Sequence, residues 1–199
     1  IKLFYPHDTF MILIEYPEET MKKSALLGTL TLLLSITLSK DVTAVTEFDT
    51  QKYLGKWYEI ARLPNFFQKQ CIANISAEYR EVNGGIEVLN SCTKAGNKTD
   101  TALGFATLEN AIGSELKVSF LPKYIRWLPF TKGDYWVLKI DPDYQVSLVG
   151  DPDREYLWIL AREPNIDPTI IQEYLNEAQS QGYTGLDQLI YTEHTPKTH

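Results

Sequence analysis

Few side chains in this sequence could act as catalysts or metal ligands. Of its three histidines, His194 and His199 lie in the C-terminal tail and His7 lies close to the N-terminus. No Ser-His-Asp or Cys-His pair can therefore be built from the segments between them, and a histidine-based metal site is excluded there as well. Two cysteines are too few for a four-thiolate zinc site. The sequence predicts no catalytic residue, no metal site and no cofactor.

The most regularly spaced acidic residues lie in two Asp-Pro-Asp sequences, at 141–143 and 151–153. They occupy separate segments and lack the spacing of a calcium-binding loop, so we interpret them as turn formers. Glu59 lies two residues after Trp57 and is therefore expected to face the same side of its strand. A buried structural hydrogen bond is the role we expect for Glu59, rather than that of an acid catalyst.

Composition favours one folded domain without a nucleic-acid partner. The 199 residues fall within the usual size of a single domain, and 44 % of them are hydrophobic, which is enough for a core. Lys and Arg number 19 against 26 Asp and Glu, which gives a net charge of −7. Nucleic-acid binding needs a basic surface that displaces phosphate counterions, and the sequence contains no basic stretch of that kind.

Residues 21–44 have the pattern of a secretory signal peptide. Two lysines precede an apolar run at 25–38, and small residues provide a cleavage site before Val45. The run is shorter than the ~20 residues that cross a bilayer, which favours a cleaved signal over the alternative, a permanent membrane anchor. We therefore expect residues 1–20 to be an upstream segment outside the mature protein, and 45–199 to be its exported domain. No cysteine lies near the end of the apolar run, so a diacylglyceryl lipoprotein is not expected.

From residue 56 onward, short segments of alternating apolar and polar residues are separated by turn residues, which predicts β-strands. The eight predicted strands are 56–62, 72–81, 86–93, 101–108, 115–120, 134–141, 145–150 and 156–162. The longer connections, which alternate with short ones, are 63–71, 94–100, 121–133 and 151–155. Such alternation is typical of an up-and-down meander. The predicted fold class is all-β, an eight-stranded antiparallel up-and-down β-barrel.

A C-terminal α-helix is marked at both ends. Asp167 is a good N-cap, Pro168 suits the first helical position, and Gly182 lies just past the expected end. Its apolar residues share one stripe: Ile170, Ile171, Tyr174, Leu175 and Ala178. The helix is expected to pack with this stripe against the outside of the barrel, and a short last strand should follow at 188–192.

Alternation also assigns the residues that face the barrel interior, because every second residue of a strand shares a face. The interior residues predicted in this way include Ala77, Tyr79, Val88, Asn90, Ala102, Ala106, Val118 and Phe120. Small side chains on one wall opposite aromatic ones on another predict a slot for a small ligand. The alternative is a compact barrel whose interior these side chains fill.

Cys71 and Cys92 lie on neighbouring predicted strands with the same inward parity. The predicted turn at Asn83-Gly84 pairs Cys92 with Ile75, which places Cys71 about 13 Å along the strand. That distance is too long for a disulfide unless the chain bends back. An oxidising compartment nevertheless favours the pair over two free thiols. We expect the disulfide, with free thiols as the alternative.

Three motifs, in order along the chain, resemble those of the lipocalin family. The first is Gly-x-Trp within 53–62, the second is 133–135 with glycine where the family usually has threonine, and the third is 156–162. The residues that carry these motifs are Gly55, Trp57, Asp134, Tyr135 and Arg162. The chain is most similar to bacterial lipocalins, and similar also to apolipoprotein D and plant temperature-induced lipocalins, with 151–158 typical of that branch.

The resemblance implies a calyx, closed at its base by Trp57 and Arg162 and open at the end that carries the long connections. Ligand contacts at the mouth and inside are then expected from Phe66, Phe67, Tyr79, Asn90, Tyr135, Tyr156 and Trp158. Apolar and basic residues at 63–67 and 124–130 would surround the entrance. We interpret them as a contact with a membrane surface. A lid packed over the barrel and a homodimer interface are the alternatives.

The resemblance further implies a protein that binds and carries a small hydrophobic ligand, such as a fatty acid or a lysophospholipid, for envelope lipid maintenance or transfer. It would be exported to the periplasm or the outer membrane, and it would not be an enzyme. One alternative is a lipocalin-type enzyme that acts on a bound lipophilic ligand, for which Cys71 is the candidate at the rim. The other alternative is a membrane-surface structural protein with a filled barrel.

Overall fold

The computed structural model describes residues 41–128 and 130–195. The predicted upstream segment, residues 1–20, lies outside the described residues, and so does the predicted signal peptide except for residues 41–44. Within the described part of the chain, no helix has the length and hydropathy of a membrane span.

The described residues form nine β-strands, two α-helices and one 3-10 helix. In chain order they are α1 (Thr50–Tyr53), β1 (Gly55–Arg62), β2 (Ala73–Val82), β3 (Gly85–Lys94), β4 (Lys98–Leu108), β5 (Glu115–Ser119), β6 (Gly133–Ile140), β7 (Val146–Gly150), β8 (Leu157–Ala161), α2 (Pro168–Ser180), the 3-10 helix Leu186–Gln188 and β9 (Ile190–Tyr191). The predicted eight strands and C-terminal helix are confirmed.

The first eight strands form a closed antiparallel barrel. Each strand from β2 to β8 pairs with the next along the chain, and β1 closes the barrel by pairing with both β2 and β8. The short strand β9 lies outside and pairs with the end of β1. Closure leaves no sheet edge exposed along the meander, and the predicted up-and-down barrel is confirmed.

Local sequence explains three tight turns, those after β2 and β6 at the closed end and that after β7 at the mouth. The predicted Asn83-Gly84 turn joins β2 to β3, and Gly84 has a φ of 88°, which glycine adopts without strain. The Asp-Pro-Asp sequences turn the chain through their first side chain. The carboxylates of Asp141 and Asp151 each accept hydrogen bonds from backbone N–H groups two to five residues further along. Their predicted role as turn formers is confirmed.

Helix α2 packs against the outside of the barrel. The Asp167 side chain caps its N-terminus by accepting a hydrogen bond from the Thr169 N–H at 2.8 Å. Tyr174 and Ala178 are buried in an outer core between the helix and the barrel, and the Tyr174 hydroxyl donates to the Val146 carbonyl at 2.8 Å. The predicted apolar stripe therefore faces the sheet.

The residues just before the predicted cleavage point also contact the barrel. Val42 is buried in the outer core, and the Thr43 N–H donates to the Gln181 side chain at 2.9 Å. The Val45 N–H donates to the Val137 carbonyl at 2.8 Å. Cleavage after Ala44 would therefore remove Val42 from this core, and the cleavage itself stays a prediction.

Two segments differ from the sequence-based expectation. Strand β4 begins at Lys98, so the connection predicted as long at 94–100 is a tight turn at 95–97 in which Asn97 has a φ of 55°. Helix α1 was not predicted because a single helical turn is too short to show a periodicity. Its N-cap is Asp49, whose side chain accepts from the Gln51 N–H at 2.9 Å.

Candidate functional site: the barrel cavity

The barrel interior contains a cavity of about 700 Å³. It opens between the connections at 63–72 and 120–132, at the end of the barrel opposite the Asn83-Gly84 turn. Binding sites for small molecules commonly enclose about 300–1,000 Å³. The interior is therefore hollow, and the alternative of a filled barrel is wrong.

One wall of the cavity is built from small side chains. Ala77, Asn90 and Ala102 are successive cross-strand partners on β2, β3 and β4, and all three line the cavity. The next row towards the base is Tyr79, Val88 and Gly104. Two alanines leave the space that larger residues would fill, and the Asn90 side chain has no hydrogen-bond partner among the described residues.

A glycine allows an aromatic ring to lie against the same wall. A Cβ atom at Gly104 would lie 2.7 Å from the Phe120 ring, which is closer than real contacts permit. Glycine at this position therefore lets the ring pack across β4, where Phe120 lines the cavity near its mouth.

Aromatic side chains form the facing wall. The Tyr156 and Trp158 rings stack with centroids 5.9 Å apart, and the Phe67 ring lies 5.5 Å from Tyr156 and 6.3 Å from Trp158. The Trp158 indole N–H donates to the Gln68 side chain at 3.0 Å. This contact fixes the loop that carries Phe66 and Phe67 against the barrel wall.

The floor of the cavity is a cluster of hydroxyl groups. The Tyr135 hydroxyl lies 2.8 Å from the hydroxyls of both Tyr53 and Tyr79, and Tyr53 lies 3.2 Å from the Ser147 Oγ. Burial raises the pKa of Tyr53 to about 12, and burial also raises the pKa values of Tyr79 and Tyr135. All three phenols are therefore neutral. Sequence reasoning found Tyr79 and Tyr135 but missed Tyr53 and Ser147.

A buried ion pair lies in the cavity wall beside the aromatic residues. Glu59 and Arg62 are only 2 % and 4 % exposed, and the Arg62 Nη1 donates to the Glu59 carboxylate at 2.6 Å. Gln68 and Thr192 donate to the same carboxylate at 2.8 and 2.6 Å. The buried hydrogen bond predicted for Glu59 is confirmed, whereas Arg62 was missed.

The base of the barrel is closed by Trp57 and Arg162. Trp57 is fully buried, and the Arg162 guanidinium lies 3.9 Å from the centroid of its ring system. The guanidinium also donates to four backbone carbonyls, those of Lys52, Leu54, Lys56 and Tyr144. Gly55 has a φ of 92°, and a Cβ there would meet the Arg162 side chain at 3.5 Å. These contacts support stability and exclude ligand from the base.

The expected disulfide between Cys71 and Cys92 is confirmed, with Cα atoms 5.5 Å apart. A bulge between Ala73 and Ser76 places two residues of β2 opposite Cys92, and Asn74 in it has a φ of 53°. The bulge and the turn before β2 bring Cys71 back beside β3. A regular strand register without this bend would leave the two cysteines too far apart for a disulfide. Because its sulfur is in the disulfide, Cys71 is not a free thiol at the rim, and its candidacy as a nucleophile is wrong.

The mouth carries exposed aromatic residues with basic residues among them. Phe66, Tyr124, Trp127 and Phe130 are 71–87 % exposed. Pro129, within the predicted 124–130 segment, lies outside the described residues. The basic residues of the same two loops are Lys69, Lys123, Arg126 and Lys132. These aromatic side chains are largely exposed, and Phe66 and Phe130 also line the cavity entrance.

A family model for a lipocalin-like domain matches residues 48–194. This chain belongs to the lipocalin family. The match covers the whole barrel, helix α2 and strand β9, so the predicted resemblance is confirmed.

Several curated proteins are similar to this lipocalin. Temperature-induced lipocalin-1 of Arabidopsis thaliana is 38 % identical over 74 % of this chain and 81 % of its own length. The outer membrane lipoprotein Blc of Vibrio cholerae is 33 % identical over 78 % of this chain and 88 % of its own. Among solved structures, insecticyanin from Manduca sexta has a TM-score of 0.60 at 18 % identity, covering 78 % of this chain and 85 % of its own. That structural similarity supports the fold.

The lipocalin motif residues lie in two places. Gly55, Trp57 and Arg162 form the base, whereas Asp134 and Tyr135 lie on β6. The Asp134 carboxylate accepts from the Lys117 ammonium at 2.9 Å, which joins β5 to β6 near the mouth. Tyr135 is the motif residue that contributes a hydroxyl to the cavity floor.

The cavity brings together nearly all of the predicted ligand-contacting residues. Those that line it are Phe66, Phe67, Ala77, Tyr79, Val88, Asn90, Ala102, Val118, Phe120, Tyr135, Tyr156 and Trp158. Ala106 needs correction, because it borders a separate small void below the floor with Ile86 and Leu116. The paired hydroxyls of Tyr79 and Tyr135 end the main cavity above it. The alternation of a strand shows that a residue faces the barrel interior, but it does not show how far along the barrel axis the residue lies.

Proposed function

We propose that this lipocalin binds a single-chain amphiphile, a fatty acid or a lysophospholipid, with the hydrocarbon chain in the cavity and the head group at the mouth. The lipocalin family binds small hydrophobic ligands. The observation that carries the proposal is a hollow of about 700 Å³ that is open at one end and has a mainly apolar wall, which includes alanine, valine and aromatic side chains.

The hydrophobic effect is large enough for this binding. Burial is worth about 0.8 kcal/mol per CH₂ group, or about 13 kcal/mol for a chain of about 16 carbons. Association costs at least about 4 kcal/mol in lost translational and rotational freedom. At the lower bound of that cost about 9 kcal/mol remains, which corresponds to a Kd of about 0.3 μM, and a larger association cost gives weaker binding.

One cation at the mouth suits an anionic head group. Lys132 is half-buried at the cavity entrance and has no ion-pair partner among the described residues. The nearby carboxylates are occupied: Asp134 pairs with Lys117 at 2.9 Å, and Asp100 pairs with Lys94 at 3.1 Å. Lys132 is therefore the side chain we assign to a carboxylate or a phosphate.

Export and a carrier role belong to the same proposal. The Vibrio cholerae relative is an outer membrane lipoprotein by name, and this similarity supports a role in envelope lipid maintenance or transfer. We propose residues 45–199 as the exported domain, preceded by a signal peptide at 21–44. Binding without catalysis is the activity that we propose, because the described site is built to enclose a chain.

Filling the small-residue wall tests the proposal. Ala102→Trp places an indole in the path of the chain and is expected to weaken binding of palmitic acid and lysophosphatidylcholine by about tenfold or more. Titration with each lipid, followed by the fluorescence of the aromatic wall, measures the change. Native mass spectrometry of the unmodified protein should show one co-purified acyl lipid.

The matched control is Leu103→Trp, because Leu103 is the next residue of β4 and lies half-exposed on the outer face. It adds the same indole outside the cavity, and lipid affinity should stay within about twofold. Equal affinities in both variants and the unmodified protein would contradict binding inside the barrel. Chemical conversion of the bound lipid would favour the enzyme alternative.

We further propose that the mouth contacts an anionic membrane surface during lipid transfer. The exposed aromatic side chains are suited to the acyl boundary of a bilayer, and the basic residues of the same loops are attracted to anionic head groups despite the net charge of −7. A homodimer that buries the same residues is the competing use of this surface.

Vesicle binding separates the two uses. The double variant Trp127→Ser/Phe130→Ser is expected to bind phosphatidylglycerol-containing vesicles about tenfold more weakly than the unmodified protein, while Tyr191→Ser, an exposed position on β9, should not change binding. Flotation with and without phosphatidylglycerol measures this. Absence of vesicle binding together with a dimer in sedimentation would assign the patch to the homodimer instead.

A further inference from the structure

The hydroxyl groups of the cavity floor form an unbranched chain. It runs from the Ser147 Oγ to Tyr53 at 3.2 Å, from Tyr53 to Tyr135 at 2.8 Å, and from Tyr135 to Tyr79 at 2.8 Å. Ser147 is fully buried and Tyr53 is nearly so, whereas Tyr79 and Tyr135 line the cavity. The chain therefore leads from the barrel core to the ligand space.

Counting hydrogens shows that one donor is left over. Each hydroxyl has a single hydrogen, so four hydroxyls supply four hydrogens to three hydrogen bonds. The Ser147 hydroxyl has Tyr53 as its one partner among the described residues, so its hydrogen must lie in that bond or remain buried and unpaired. Leaving a buried donor unpaired is unfavourable, which makes Ser147 the donor to Tyr53 and Tyr53 the donor to Tyr135.

The fourth hydrogen therefore belongs to Tyr135 or Tyr79. If Tyr135 donates to Tyr79, the Tyr79 hydrogen is free, and if Tyr79 donates to Tyr135, the Tyr135 hydrogen is free. Both tyrosines line the cavity, and both also border the small void beneath it. A saturated hydrocarbon end placed at the cavity floor would leave this hydrogen without an acceptor.

We infer that the Tyr79–Tyr135 pair is a polar subsite at the closed end of the cavity and selects chains with an oxygen acceptor at their buried end. This inference rests on the proposed function and specifies its ligand class. The acceptor would be a hydroxyl, keto or ester oxygen, which makes oxygenated acyl chains better ligands than plain ones of equal length.

A neutral oxygen suits this subsite better than a carboxylate. Burial raises the pKa values of Tyr79 and Tyr135, so both phenols keep their hydrogens. The Arg162 guanidinium lies below the floor, over Trp57, and is already bound to four carbonyls. One neutral donor cannot compensate for removing a charged group from water, so the carboxylate of a fatty acid stays at the mouth.

The experiment compares fatty acids of increasing chain length with their ω-hydroxy derivatives. The unmodified protein is expected to bind the ω-hydroxy acid more tightly than the plain acid at the length that reaches the floor. In Tyr79→Phe/Tyr135→Phe the ω-hydroxy acid should bind about tenfold more weakly, and the plain acid should bind at least as tightly as before.

Two single substitutions sharpen the test. Tyr79→Phe should keep the preference for the ω-hydroxy acid, because the Tyr135 hydrogen is then free, whereas simple loss of packing would remove it. Tyr191→Phe removes a hydroxyl outside the barrel and should change nothing. If the double variant weakens both acids by the same factor, the polar subsite is wrong and the carrier function stands. If the unmodified protein binds neither acid nor lysophosphatidylcholine, the proposed function fails and this inference fails with it.

Discussion

Replacing Trp57 by alanine is expected to lower the free energy of unfolding by about 3–5 kcal/mol. Trp57 is fully buried at the barrel base, and its indole N–H donates to the Tyr53 carbonyl at 2.8 Å. The substitution leaves a cavity, removes that hydrogen bond and takes away the ring that the Arg162 guanidinium covers. Urea unfolding followed by far-ultraviolet circular dichroism measures the loss.

Trp127 supplies the matched control for the same change of residue. It is 77 % exposed on the mouth loop, so Trp127→Ala should alter the free energy of unfolding by no more than about 0.5 kcal/mol. A Trp57→Ala variant that loses less than about 1 kcal/mol would contradict the role assigned to the base.

Breaking the buried ion pair is expected to be comparably harmful. Arg62→Met leaves the Glu59 carboxylate buried without its cation and should lower the free energy of unfolding by about 3–5 kcal/mol. The hydrogen bonds from Gln68 and Thr192 remain but are weaker partners for a buried charge. The same urea unfolding experiment measures the effect.

A double-mutant cycle separates charge from packing. Glu59→Gln/Arg62→Met removes both charges and should be less destabilised than Arg62→Met alone. Arg80 pairs with Glu87 at 2.7 Å on the exposed outer face, so Arg80→Met should cost at most about 1 kcal/mol. A double variant as unstable as the sum of both single variants would show that the two side chains act independently.

The sequence predicted the elements whose signals are local. Alternation located all eight barrel strands, Asn83-Gly84 located a hairpin, and Asp167, Pro168 and Gly182 located both ends of α2. Strand β4 was predicted too short because its first residues are polar and largely exposed, so they do not alternate in hydrophobicity. The family motifs additionally indicated which end of the barrel is closed.

Bulges explain much of what sequence reasoning missed in the site. Strict alternation from Trp57 and Glu59 would place Arg62 on the outer face, but a register shift between Glu59 and Ala61 turns it inward beside Trp158. The bulge in β2 likewise shortens the path between the two cysteines. A bulge depends on strand pairing, which single-strand patterns do not encode.

The hydroxyl floor was only half predicted, for a different reason. Tyr53 lies in the helical turn before β1, and Ser147 lies on β7, whose residues are buried on both faces. Neither position shows the alternation that reveals an inward residue. Tyr53 contacts both Ser147 and Tyr135 only because closure of the barrel brings these distant parts of the chain together.

The anchoring of the Arg162 guanidinium at the base has a kinetic consequence. Its bonds to carbonyls from the segments before and within β1 and after β6 leave no route through that end. A ligand of the cavity must then enter and leave through the same opening. Its residence time therefore depends on loops 63–72 and 120–132. The Cys71–Cys92 bond ties down the end of the first of these loops. The exchange rate of a cavity ligand is thereby controlled at the mouth alone, even though its affinity also depends on the walls and the floor.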